Sequence, residues 1–356
     1  MLDNIEKIKK LDKELVVAKS IESLPAQIKH VQEEIDSIVI PEDYKNITHV
    51  VVNGMGGSNL GARLIQAALE DKLKIPLEIC PGYSVPNHVD DKTLYIISSY
   101  SGTTEEPISV FSEVEKRGAK ILTITSDSEN KLAKIMDEHN IPGYRFLPKE
   151  NPSNQPRLGV GYGVFGIMSM LAKAGVFKLG NDEMNVILNK MKAWGEQLGL
   201  EIKTKNNIAK QLAQSIHGRE AIYVGAEFLS GNLHVIRNQT CESSKNFASY
   251  LTLPELNHYT MEGLSNPKNN QKNLIFVFFN SALYNPRIQK RSKLTQQVAE
   301  KNKIKTVSHE LRGETKLEQA FELLQLGGWI TYYLGILNKV DPIKIPWVDW
   351  FKEQLK

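Results

Sequence analysis

Residues Thr93 to Arg117 do most to limit what this chain can become. Thr93-Leu-Tyr-Ile-Ile97 is a short apolar, β-branched run, the pattern of a buried strand. Glu105 to Arg117 carries Ile108, Phe111 and Val114 at helical spacing. Between them lies Ser98-Ser-Tyr-Ser-Gly-Thr-Thr-Glu-Glu106, a cluster of hydroxyls around one glycine. A strand that turns through such a loop into a helix offers an anion three things: unpaired backbone N–H groups, the positive end of the helix dipole, and hydroxyl donors. The loop contains no lysine, so its donors are neutral, and a phosphate monoester suits them. The competing reading is an ordinary helix cap, with Ser101 or Thr103 as N-cap and Glu106 closing a capping box.

A second such loop stands earlier in the chain. Thr48-His-Val-Val-Val52 predicts a strand, followed by Asn53-Gly-Met-Gly-Gly-Ser-Asn-Leu-Gly61 and a helix from Ala62 to Glu70. Its glycines let the backbone turn tightly and approach a ligand, and place Ser58 at the helix N-terminus. The spacing is not G-x-G-x-x-G, and the next strand, Leu77 to Cys80, ends in Pro81-Gly82 rather than in an acidic residue. A dinucleotide site is therefore disfavoured. No Gly-Lys-Ser/Thr follows, so this is not a P-loop either.

The alternation continues with a strand at Lys120–Ile124 and a helix from Asn130 to His139. This rhythm predicts a parallel, doubly wound α/β sheet, with ligands held off the carboxyl ends of its strands. Both hydroxyl loops follow strands directly and belong on that edge. Val160 to Ala172 is the most apolar stretch; at thirteen residues it is short of a membrane span and predicts a buried helix. The polar loop before it carries Arg157 alone between Pro156 and Leu158, either solvated or reaching an anion.

Helices are expected from about Asp182 to Ser215, and then a second series begins. Strands are predicted at Ala221–Val224, Leu274–Phe279 and Lys305–Ser308, with a helix over Pro286–Asn302. The period matches the first half, which predicts an internal duplication. The loop after the second strand of this series reads Asn280-Ser-Ala-Leu-Tyr-Asn285 where the first half has Ser99-Tyr-Ser-Gly-Thr-Thr104, so the phosphate cradle is expected to be lost there. The expected division is a helical segment at 1–37, a first lobe at 38–190 and a second at 191–356.

Composition removes several classes. The formal net charge is +3 with charges interspersed, unlike the basic stripe of a nucleic-acid binder. Two cysteines, Cys80 and Cys241, are too few for a disulfide scaffold or a metal framework and suit a reducing cytoplasm. The charged, amphipathic N-terminus does not read as a signal peptide.

Chemistry is sought in Arg237-Asn-Gln-Thr-Cys-Glu-Ser-Ser-Lys-Asn246 and Leu253-Pro-Glu-Leu-Asn-His258. A carboxylate and an imidazole suit proton shuttling, Glu242 as a base α to a carbonyl and His258 for moving a proton on and off a ring oxygen. The plain alternative pairs Glu242 with Lys245 or Arg237 on a helix surface and leaves His258 in a turn.

Taken in order, Gly54-Met-Gly-Gly-Ser58, Ser99-Tyr-Ser-Gly-Thr-Thr-Glu105, Pro156-Arg157, Glu242 with Lys245, Pro254-Glu255 with Asn257-His258, and Asp341-Pro342 with Lys352 span nearly the whole chain. The set resembles the sugar isomerase (SIS) family, and within it the bifunctional phosphoglucose/phosphomannose isomerases. The resemblance implies two flavodoxin-like SIS lobes in tandem, a homodimer, and aldose–ketose isomerisation of a hexose 6-phosphate through a cis-enediolate, without metal or redox cofactor. It implies that Gly57, Ser58, Ser99, Ser101 and Thr104 hold the phosphate and Glu242 moves the proton between C1 and C2. It further implies that His258 from the partner subunit opens the ring, Lys352 assists at an oxygen, and Arg157 steadies the enediolate. Two positions depart from the family pattern: Cys241 and Tyr259 stand where asparagines are usual.

Two other readings share the hydroxyl loops. A sugar-phosphate-binding regulator would not need Glu242, His258 or Lys352, but no DNA-binding helix-turn-helix is evident. An aminosugar-phosphate isomerase is the third; its amidotransferase version needs an N-terminal cysteine nucleophile, and this chain starts Met-Leu-Asp.

Overall fold

The structure is a computed structural model that describes residues 1–355. The chain forms two compact units, one of residues 23–192 with 316–320, the other of residues 1–22, 193–315 and 321–356. Of the N-terminal helices, Ile5–Lys9 and Val16–Glu22 belong to the second unit and Leu24–Glu34 to the first.

In the first unit, β1 (His49–Gly54), β2 (Leu77–Ile79), β3 (Thr93–Ser98), β4 (Lys120–Ser126) and β5 (Gly143–Phe146) form one sheet in the order β2-β1-β3-β4-β5. Every pairing is parallel. The central strands are buried along almost their whole length because helices cover both faces, which is why they read as unbroken apolar runs. Val51, Tyr95 and Ile97 pack against Phe111, Val114 and Leu132 on one of those faces. The expected helix 105–117 is interrupted at Val110, giving Glu105–Ser109 and Phe111–Lys116. Strand β5 was not expected. It has four residues, alternates in burial and lies at the sheet edge, so neither length nor hydrophobicity marked it.

Val160–Lys173 is the buried helix its composition predicted. It packs on Leu60–Ala68, the helix that follows the first glycine loop, at a point with no room for a side chain. A Cβ built on Gly61 would stand 2.7 Å from the Gly163 carbonyl carbon and 2.8 Å from Val164 N.

In the second unit, β6 (Glu220–Ala226), β7 (Ala248–Leu253), β8 (Leu274–Asn280) and β9 (Lys305–Glu310) form a parallel sheet in the order β7-β6-β8-β9. That is the order β2-β1-β3-β4 over again, so the duplication inferred from the period is present as topology. Strand β7 was missed because, as an edge strand, most of its residues are only half-buried. The helix Lys316–Leu337, 22 residues long, also went unread. Its Tyr332 hydroxyl donates to Asp12 Oδ2 at 2.9 Å, while Val17 and Ala18 N–H groups reach the same buried carboxylate at 3.1 Å. These bonds tie the N-terminal residues to this unit. Among the described residues, no helix is long and apolar enough to cross a membrane.

Because the atoms facing Gly61 are backbone and cannot swing aside, Gly61→Ala is expected to destabilise the first unit by about 1–3 kcal/mol. Thermal or denaturant unfolding of the variant checks this, with an unchanged midpoint as the contrary result.

Candidate active site

Three loops of the first unit meet at the carboxyl edge of its sheet. The first is the glycine loop after β1, where Gly56 takes a φ of 48°, open to glycine at little cost. A Cβ on Gly57 would lie 2.8 Å from both the Pro156 carbonyl carbon and Arg157 N. The absent side chain is what lets the Pro156–Arg157 peptide lie against this loop. The second loop follows β3: Ser98 Oγ donates to Ser58 O at 2.8 Å, and the Tyr100 N–H donates to Ser58 Oγ at 2.7 Å. Ser58 therefore accepts from one hydroxyl loop while belonging to the other, and its own O–H remains available for an anion.

Within Ser98–Glu106 the hydroxyls bond one another. Ser99 Oγ donates to Thr104 Oγ1 at 2.9 Å, Thr103 Oγ1 donates to Ser101 Oγ at 3.1 Å, and Ser101 and Thr104 hydroxyls lie 3.5 Å apart. Thr104, not Ser101 or Thr103, is the N-cap of the following helix, and its own side chain makes no capping bond. The simple capping-box reading is thus not what the loop adopts. Ser101 is exposed, Ser58 and Thr104 are half-buried, and Ser99 is fully buried beneath Thr104. Gly102, at φ 62°, is backed by Asn130, whose amide nitrogen reaches Ser126 O and Ser128 O at 3.1 Å and whose Oδ1 accepts from Ala133 N–H. Tyr100 is also buried; its hydroxyl accepts from Asn151 Nδ2 at 2.8 Å, and burial pushes its pKa up to about 12. Neither supporting residue is foreseen from the sequence, where Asn130 marks only the start of a helix.

Arg157 is not a solvated loop residue. Its side chain is buried, with Nη1 donating to Gln155 Oε1 at 2.9 Å. The loop that carries it is held from behind by Gln27, which donates to Glu150 O and Leu158 O and accepts from Gly161 N–H. The helix Leu24–Glu34 therefore has a definite task at this site, one that sequence spacing of more than 120 residues concealed.

The corresponding loop of the second unit is sealed by its own groups. The Tyr284 hydroxyl accepts from Ala226 N–H and donates to Phe279 O, and Asn285 N–H donates to the Glu227 carboxylate at 3.2 Å. Asn285 Oδ1 caps the 16-residue helix behind it by accepting from Arg287 N–H. The donors of this loop are met by the chain's own groups.

The second unit instead carries the titratable groups. Glu242 lies half-buried in a π-turn, Thr240–Ser244, that continues the helix Ser230–Gln239. Lys245 ends that turn in the left-handed region, and its Nζ donates to Asp341 O at 2.5 Å. His258 closes the short 3-10 turn Glu255–His258 after β7 and is exposed. Lys352 is exposed on the helix Pro346–Gln354, which buries none of its residues. No group of three His, Cys, Asp or Glu among the described residues could hold a metal ion.

Parallel sheets of this order, bearing a hydroxyl-rich loop on one of them, define a tandem SIS-type protein, and the comparisons agree. Residues 44–141 match the SIS domain, and residues 205–355 match the bacterial phospho-glucose isomerase C-terminal SIS domain. The chain is 30% identical to the bifunctional phosphoglucose/phosphomannose isomerase of Caldicellulosiruptor bescii, over 94% of this chain and 98% of the relative. It is 28% identical to the enzyme of that name from Aquifex aeolicus, over 89% and 93%. Among solved structures, a hypothetical protein from Thermus thermophilus matches with a TM-score of 0.75 at 16% identity, covering 98% of this chain and 93% of the other, a likeness of fold. The chain belongs to the bifunctional phosphoglucose/phosphomannose isomerase family.

If the contact between Gly57 and Pro156 sets the cradle, Gly57→Ala must part the two loops. The expected outcome is a KM for sugar phosphate raised roughly 10-fold or more, checked by steady-state kinetics. An unaltered KM in the folded variant would contradict it.

Proposed function

We propose that the chain is an aldose–ketose isomerase that interconverts glucose 6-phosphate and mannose 6-phosphate with fructose 6-phosphate. The observation that carries this reading is the meeting of three loops of the first unit around neutral donors, in a chain whose family acts on phosphorylated hexoses. Ser58, Ser101 and Thr104 donate to the phosphate, with Gly57 admitting it close to the backbone. Ser99, buried under Thr104, orients that hydroxyl. Glu242 removes the proton from C2 of the aldose, or from C1 of the ketose, and returns it to the neighbouring carbon. A half-buried carboxylate on a fixed turn suits that work, since it is shielded but accessible. Charge developing on the enediolate oxygens is met by Arg157. His258 passes the proton that opens the ring, and Lys352 assists at a sugar oxygen.

The intermediate explains how one site serves two epimers. C2 of a cis-enediolate is planar, so glucose and mannose 6-phosphate converge on one species, and the room left around C2 sets how fast each is formed from it. His258, Phe247 and Tyr259 are all exposed on the chain, as expected of residues that act or pack across a homodimer boundary.

Glu242→Gln is expected to lower turnover of both hexose 6-phosphates by about 10²–10⁴-fold while leaving phosphate-dependent binding largely intact; near-normal turnover would overturn the role. A shared His258 predicts that mixing inactive Glu242→Gln and His258→Asn chains restores part of the activity, because mixed dimers hold one intact site. Additive inactivity in a demonstrably exchanged mixture would count against the partner's contribution.

A further inference from the structure

Glu242 stands on a π-turn, and such turns are uncommon because the wider ring gives up regular helical bonding, so they persist where surrounding structure fixes them. Here the support comes from one side. Thr240, Ser243 and Ser244 are buried, whereas Cys241 is exposed and Glu242 half-exposed. Thr240 Oγ1 shares a 2.7 Å hydrogen bond with the buried Tyr223 hydroxyl, and Ser244 Oγ donates back to Thr240 O at 2.5 Å. The buried face of the turn rests on the end of the long helix Lys316–Leu337. Gly335 lies in its last turn, and a Cβ there would stand 2.8 Å from Ser243 O and 3.3 Å from Ser244 Cα. Just beyond the helix, Asn338 Nδ2 donates to Ser244 O at 2.9 Å.

We propose that Gly335 and Asn338 are positioning residues for the catalytic base: together they set the depth and the rotation of the π-turn, and so the aim of the Glu242 carboxylate. Gly335 lets the turn seat against the helix backbone, and Asn338 holds the carbonyl at its end so that the turn cannot relax into regular helix. Both touch the residues directly after Glu242. The proposal rests on the reading of Glu242 as the base.

The geometry fixes what each substitution does. In Gly335→Ala the methyl group meets a carbonyl oxygen, not a flexible side-chain end, so the turn is displaced outward. Displacements on the order of 1 Å can cost about 10²-fold in rate. Asn338→Asp keeps the shape but removes the donor to Ser244 O, and Asn338→Ala removes both.

The test is steady-state kinetics with fructose 6-phosphate on the full-length protein, together with binding of sorbitol 6-phosphate, which lacks the carbonyl, and thermal unfolding of each variant. Gly335→Ala is expected to lower kcat by about 10- to 100-fold, with KM and sorbitol 6-phosphate affinity changed by no more than about threefold. Asn338→Asp and Asn338→Ala are expected to lose kcat alike, because the lost donor is what they share. Glu242→Asp supplies the discriminating measurement: shortening the base should cost a smaller factor in the Gly335→Ala or Asn338→Ala background than in the wild type, since an already misaimed base has less to lose. Equal costs in both backgrounds, or wild-type kcat with only a lowered melting temperature, would overturn the proposal. If Gly335→Ala does not fold, the Asn338 variants carry the same cycle. An active Glu242→Gln would instead refute the base itself, a separate result from a failure of positioning.

Discussion

The arrangement of the proposed anion cradle depends on one backbone contact, the seating of Gly57 against the Pro156–Arg157 peptide. Side chains can shift to admit a neighbour, but a peptide group cannot, so the approach exists only because this position has no Cβ. The same logic recurs one turn further on, where Gly61 lies against Gly163 and Val164. Two helices brought to backbone distance carry their N-terminal loops with them. The Ser98–Glu106 loop is then locked on by the bonds from Ser98 Oγ and Tyr100 N–H to Ser58. Gln27 closes the arrangement by satisfying backbone groups on both sides of Arg157, at Glu150, Leu158 and Gly161.

The two sheets show that topology alone does not make a binding site. Both units place a loop after the equivalent strand, β3 in one and β8 in the other. What differs is whether the chain has already satisfied the donors there. After β3 the N-cap Thr104 makes no side-chain cap bond, and the hydroxyls bond one another and, at a long 3.4 Å, the Thr103 and Thr104 N–H groups, bonds that an anion can exchange for stronger charge-assisted ones. After β8 a tyrosine fills the interior, and the Glu227 carboxylate accepts from Asn285 N–H. Glu227 takes a φ of 47°, close to the 48° of Gly56 at the matching point after β1, so the two loops share even this backbone turn. A glycine there leaves the space open; a glutamate brings the anion with it.

How much of this was legible follows from the range of the forces involved. The central strands and the Val160–Lys173 helix announced themselves because burial on all sides demands continuous apolar sequence. The motif glycines and hydroxyls were legible because their chemistry is local. Strands β5 and β7 were not, since an edge strand needs only half a hydrophobic pattern. Arg157 was ambiguous for a different reason: its burial is decided by Pro156, Gly57 and Gln27, which are far apart in the chain. The π-turn was equally hidden. Thr-Cys-Glu-Ser-Ser gives no periodic signal, and the groups that hold it, Gly335 and Asn338, lie more than ninety residues away.

That division also explains how the chain can depart from its family's pattern beside the proposed base. Cys241 precedes Glu242 directly, yet it is exposed, and its Sγ makes one long bond, 4.0 Å, to Ala248 O. Tyr259 beside His258 is likewise exposed. The turn is gripped mainly from its buried face, through Thr240, Ser243 and Ser244. Exchanges at positions 241 and 259 therefore alter the outer surroundings of the carboxylate and the imidazole without moving their backbone. A substitution that moved the backbone would have to fall on the buried face, where a single methyl group at Gly335 meets a carbonyl oxygen at 2.8 Å. In this chain, nearness in sequence to Glu242 is a poor guide to influence over it; contact with the concealed side of its turn is the better one.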